Sequence, residues 1–160
     1  MTTIIRESST RIKTGIVLIV AMLILGYIDS YFLFWLVFGI MLMISISESK
    51  KLFGLKSDSI YVYTSLLWFA AYFYPMPEDL IFVVAIGYAS QLAYKKTLNQ
   101  KLFLPLLYPT ASFLFLLTLY SEYGVMTLLW LLIIVASTDI GAYFIGKGFG
   151  KTQFCETSPN

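Results

Sequence analysis

The residues best suited to chemistry gather toward the carboxyl end of the chain. Asp139 lies inside a long apolar run, seven residues before Gly146, hence about 10 Å from the end of a helix rising 1.5 Å per residue. A charge near a bilayer centre costs roughly 2.5–3.5 kcal/mol even on the lenient insertion scale, so such a carboxylate requires a partner, a water-filled cavity or a bound cation. Helical spacing sets Asp139, Ala142, Tyr143 and Gly146 on one face, with Ser137 and Gly141 on an adjacent one. The segment Gly146-Lys147-Gly148-Phe149-Gly150-Lys151 follows. Three glycines at alternate positions are expected to end the helix and leave backbone N–H groups facing an anion, with two ammonium groups alongside. An acid in a helix and a basic glycine loop at its mouth suit a divalent cation and a polyphosphate held side by side. Read locally, the same residues also fit a buried Asp paired with a Lys or hydroxyl, and a helix exit anchored by two lysines. The loop is neither the P-loop pattern nor the dinucleotide fingerprint.

Two absences narrow the chemistry further. The chain has no histidine and one cysteine, Cys155. Imidazole bases, His-paired nucleophiles, an internal disulfide and Cys-cluster metal sites are therefore excluded. Catalysis must run on carboxylates, lysines, hydroxyls and backbone amides. Ser45, Thr64, Ser65, Ser90, Gln91, Thr110 and Ser112 are expected to hydrogen-bond within or between helices. Glu48, beside Lys50 and Lys51, reads as a solvated interfacial carboxylate.

The elements that position these residues follow from composition. Of 160 residues, 59% are hydrophobic and 12% charged, against about 45–50% and about 25% in soluble domains. This excludes a soluble enzyme and a nucleic-acid-binding tail, and gives an all-α integral membrane protein. Apolar runs at 14–28, 31–47, 59–74, 80–94, 102–120 and 123–146 predict about six transmembrane helices. Residues 147–160 follow as a cytoplasmic loop, and 1–160 form a single polytopic domain. Tyr27, Tyr31, Tyr61, Tyr74, Tyr94, Tyr120 and Tyr123 mark boundaries as interfacial anchors do, and Pro75 and Pro77 fit a turn. With six spans, all 11 Lys and Arg residues fall on one side. The positive-inside rule then places both termini in the cytoplasm. No small-x-small cleavage site follows the first run, so a cleaved signal peptide is not expected.

The stretch Ser137-Thr138-Asp139-Ile140-Gly141-Ala142-Tyr143-Phe144-Ile145-Gly146-Lys147-Gly148-Phe149-Gly150-Lys151, followed by Thr157-Ser158-Pro159-Asn160, resembles the bacterial phosphatidate cytidylyltransferase (CDP-diacylglycerol synthase) family. That family shows Asp-x-Gly-Ala-Tyr, a Gly-Lys-x-Phe-Gly-Lys loop and then Ser-Pro-x-Lys-Thr. Ile140 stands where the family commonly has Ser or Thr, and the sequence reaches Asn160 just before the Lys-Thr. The family's later half carries a His-Gly-Gly signature for which this chain has no room, so the resemblance implies an N-terminal portion, as a fragment or a truncated product.

The resemblance implies transfer of CMP from CTP to phosphatidate, giving CDP-diacylglycerol and pyrophosphate at the bacterial inner (cytoplasmic) membrane, with Mg²⁺ as cofactor. It casts Asp139, Lys147, Lys151 and Ser158 as catalytic, with Asp139 also toward the metal. Gly146, Gly148, Gly150 and Tyr143 are cast as substrate-binding. CTP, phosphatidate and the lipid bilayer are the expected partners, with a homodimer left open and no nucleic acid. The rivals are a non-catalytic assembly or transport component, with Asp139 on an ion path, and another CTP-dependent lipid enzyme such as a polyprenol kinase.

Overall fold

A computed structural model describes residues 19–55, 58–94 and 103–149, with the backbone alone for 147–149. The chain is all-α, and among the described residues there is no strand. Helices run over Ile19–Ile28 (α1), Tyr31–Leu52 (α2), Ser59–Phe73 (α3), Leu80–Tyr94 (α4), Phe103–Tyr123 (α5) and Val125–Phe149 (α6), with a 3₁₀ turn at Pro77–Asp79. Of these, α2, α5 and the Val125–Gly146 part of α6 are long and apolar enough to cross a membrane, whereas α1 and α3 are shorter apolar helices.

Several helix ends differ from those expected. The second helix does not stop at Ser47 but continues to Leu52, because hydropathy marks the apolar slab while Glu48, Lys50 and Lys51 are good helix formers that prolong the backbone spiral beyond it. The fifth runs to Tyr123, and the sixth begins at Val125 instead of Tyr123. Between them Gly124 turns the chain in one residue at φ 75, its N–H bonding the Tyr120 carbonyl at 2.9 Å. Asp29 makes the corresponding turn between α1 and α2 at φ 46, a left-handed conformation that Asp tolerates better than most side chains. The sixth helix passes Gly146 and ends at Phe149.

The core forms around α5, which packs against α2, α3, α4 and α6. One stripe of α2, Phe34, Phe38, Leu42 and Ile46, is buried at four-residue spacing and shares a cluster with Phe113, Leu114 and Leu117 of α5. Ile60, Thr64, Trp68 and Ala71 are the buried positions of α3. Lipid tails are as apolar as these side chains, so close van der Waals packing and interhelical hydrogen bonds hold the bundle, not hydrophobic segregation. One polar end is pinned by side chains: the Tyr120 hydroxyl donates to Asp29 Oδ1 at 2.8 Å, and the Thr118 hydroxyl donates to the Glu78 carboxylate. Both connecting turns, α1–α2 and α3–α4, are thereby fastened to α5.

Ser112 donates to the Tyr108 carbonyl at 3.1 Å, as expected of a hydroxyl in a span. Thr64 and Thr110 differ. Both are buried, yet among the described residues neither hydroxyl has a hydrogen-bond partner, and both line a cavity of about 160 Å³ among α3, α4 and α5. An unsatisfied buried hydroxyl costs about 1–3 kcal/mol. The double change Thr64→Val with Thr110→Val keeps the side-chain shape and removes both hydroxyls, so the midpoint of thermal unfolding in detergent should rise. A fall would instead reveal a partner, such as ordered water in the cavity.

Candidate functional site

Asp139 sits on α6, about 21 Å along the axis from Val125 and about 15 Å from Phe149. It is exposed, and among the described residues it forms no hydrogen bond or ion pair. This corrects the local reading of a buried Asp; the side chains of Lys147 and Lys151, the nearest lysines in that reading, lie outside the described residues. The cause is the packing of α6. Leu128, near its start, is buried in the core, whereas Ile133, Ile134, Ile140, Phe144 and Ile145 are all exposed. Only 6% of its apolar window is buried within the chain, so the described bundle leaves Asp139 uncovered.

Around Asp139 the polar inventory is short. Thr138 spends its hydroxyl on the Ile134 carbonyl at 2.8 Å. Tyr143 lies one helical turn from Asp139 on the same stripe, its ring edge-on to Phe144 with centroids 5.7 Å apart. Residue 147 is one further turn along, so the backbone brings positions 139, 143 and 147 onto one stripe about 12 Å long.

The glycine segment differs from expectation. Gly146, Lys147, Gly148 and Phe149 continue α6, so their N–H groups belong to the helical i→i−4 ladder and do not face an anion. The expected loop beginning at residue 147 is therefore corrected to helix through Phe149. The helix tolerates these glycines because each costs only about 1 kcal/mol relative to Ala. Gly150, Lys151 and Ser158 lie outside the described residues, as does Cys155. Asp139, Tyr143 and Gly146 are thus brought together on one helix, while Lys151 and Ser158 are not placed.

Glu48 is exposed, as expected of an interfacial carboxylate, and it also lines the end of a groove between α2 and α3, together with Lys51. Sequence carried no signal for this, since the groove exists only once the two helices pair.

A family model described as the cytidylyltransferase family matches residues 9–160. The phosphatidate cytidylyltransferase of Helicobacter pylori strain ATCC 700392 / 26695 is 39% identical over 155 residues, covering 96% of this chain and 58% of that protein. The protein of the same name from Helicobacter pylori strain J99 matches with the same identity and coverage. The chain therefore spans less than two thirds of the length of these curated relatives. No solved structure gives a significant match.

Proposed function

As the chain belongs to the cytidylyltransferase family, we propose that it carries part of a membrane phosphatidate cytidylyltransferase, which joins CTP and phosphatidate into CDP-diacylglycerol and pyrophosphate. The observation that carries this reading is the 39% identity running across 96% of the chain to relatives bearing that name. It favours the enzyme over the ion-path and polyprenol kinase readings.

The proposed reaction suits the side chains available. A phosphate oxygen of phosphatidate attacks the α-phosphorus of CTP; the new P–O bond forms as the bridging bond to the β-phosphorus breaks, and pyrophosphate leaves with the electron pair. The attacking oxygen is already ionised near neutral pH, so no base need remove a proton, consistent with a chain without histidine. Transfer of this kind depends on positioning and charge neutralisation. Lys147 and Lys151 neutralise phosphate oxygens in this proposal, and Ser158 hydrogen-bonds one. Tyr143 shapes the wall on the lipid side. With Gly146 and Gly148 helical, they contribute close approach through their missing side chains and not through free N–H groups; Gly150 keeps its proposed role beside Lys151.

Mg²⁺ is the proposed cofactor, with Asp139 as a ligand. Among the described residues no three Asp, Glu, His or Cys side chains converge, so these residues alone do not fit a divalent-cation site, and the neutralisation argued above rests on the lysines. The proposed setting is the bacterial inner membrane, with six spans, both termini cytoplasmic and a homodimer as one arrangement.

Membranes containing the protein in its complete reading frame, given radiolabelled CTP and phosphatidate, should form CDP-diacylglycerol only when both substrates are present. Label passing from the γ-phosphate to a polyprenol, with no cytidine-bearing lipid formed, would replace this reading with the kinase.

A further inference from the structure

A groove of about 720 Å³ runs between α2 and α3, within the roughly 300–1,000 Å³ usual for ligand sites. Two tryptophans line one end of it. The Trp35 indole N–H donates to the Trp68 carbonyl at 2.9 Å, and the Trp68 indole N–H donates to the Trp35 carbonyl at 3.1 Å. Both polar atoms are thus satisfied without water. From there the walls are mostly apolar, with Ile40 and Ile44 on α2 and Phe69 on α3, broken by Ser65, whose hydroxyl donates to the Met43 sulfur, and the far end carries Ser47, Glu48 and Lys51. From Trp35 to Lys51 the groove follows about 24 Å of helix. One leaflet, half of the roughly 30 Å hydrocarbon core, is shorter than that.

The charges at the mouth narrow the occupant. Lys50 is engaged, since its ammonium pairs with Asp58 and lies 5.1 Å from the centre of the Tyr61 ring. Glu48 and Lys51 are three residues apart on α2, neighbours on one face at about 5–6 Å between Cβ atoms. Among the described residues no ion pair joins them. Among the described residues lining it, the mouth therefore presents one carboxylate and one ammonium at adjacent positions beside an apolar channel. A purely anionic headgroup would meet the Glu48 carboxylate unfavourably. A quaternary ammonium carries no N–H to donate to it.

We propose that this groove binds a resident bilayer phospholipid whose headgroup carries both a phosphate and a primary ammonium. One acyl chain lies along Ile40, Ile44 and Phe69, the phosphate faces Lys51, and the ammonium donates to Glu48. The lipid is held, not transformed, and the assignment does not depend on the catalytic reading above.

The test is lipid retention by the purified full-length protein after exchange into an equimolar mixture of phosphatidylethanolamine and phosphatidylglycerol, read by native mass spectrometry. Phosphatidylethanolamine should be retained in at least about threefold excess, the scale of a single exposed ion pair. Glu48→Gln removes the repulsion and the acceptor charge together, so preference should move to phosphatidylglycerol. Lys51→Gln should weaken retention of both lipids. Equal retention by the parent protein, or an unchanged ratio in Glu48→Gln, would reduce the groove to unselective boundary lipid and overturn the proposal. Both substituted side chains project from a helix end outside the core, so an unchanged melting temperature certifies the fold in each comparison.

Discussion

Replacing Asp139 with Asn in the proposed enzyme is expected to lower CTP-dependent formation of CDP-diacylglycerol by about 10- to 100-fold, the scale of losing a group that supports a metal site. The protein should still insert into the membrane at normal levels. The argument starts from cost. Asp139 sits far from both ends of α6, where an ionised carboxylate is penalised by roughly 2.5–3.5 kcal/mol. Within the described chain nothing offsets this penalty, since Asp139 forms no hydrogen bond or ion pair there. Asn has nearly the same shape and carries no charge, so insertion becomes easier if anything. Any loss of activity must then come from losing the charge itself. Ser137→Ala, two residues away on an exposed position, should change the rate by far less. Near-normal turnover in Asp139→Asn would remove this residue from the mechanism, whereas loss of the protein from the membrane would make its role structural.

What sequence reveals here depends on which physical property carries the signal. Apolar runs show the helices, because the bilayer demands them, and turn residues such as Asp29 and the Pro75–Pro77 segment mark the joints. Asp139 stands out because a charge among apolar residues is costly in any arrangement. Helix pairing leaves no such mark. Phe34, Phe38, Leu42 and Ile46 are buried, while Leu36, Ile40 and Ile44 on the same helix are exposed. The two sets are chemically alike, because lipid and protein interior present the same environment to them. The central place of α5 is therefore invisible in periodicity. Helix ends are blurred for a related reason: Glu48–Leu52 and residues 147–149 leave the apolar slab without leaving the helix. The roles of Glu48 and Lys51 depend on neighbours fourteen or more residues further along the chain, beyond any local pattern.

Gly39→Ala should destabilise the bundle by on the order of 3 kcal/mol, although it replaces the poorer helix former with the best. Propensity alone favours Ala by about 1 kcal/mol. Against that, a Cβ on residue 39 would stand 2.4 Å from Trp68 Nε1 and 2.9 Å from its Cδ1, closer than real contacts permit. The obstacle is a planar indole and not the flexible tip of a side chain. Trp68 is 4% exposed, and its N–H is committed to the Trp35 carbonyl. It can yield only if α3 moves away from α2. That motion breaks both reciprocal, part-buried indole hydrogen bonds, each worth about 0.5–1.5 kcal/mol, in addition to about 1–3 kcal/mol for overpacking. The loss is a large share of the roughly 5–15 kcal/mol that holds a typical domain together. Gly87→Ala supplies the contrast, because a Cβ there meets nothing within 4 Å, and it should gain stability by its helix propensity. Thermal unfolding of both variants in one detergent, followed by tryptophan fluorescence, should therefore shift in opposite directions. If Gly39→Ala melts at or above the parent protein, the two indoles do not lock α2 to α3.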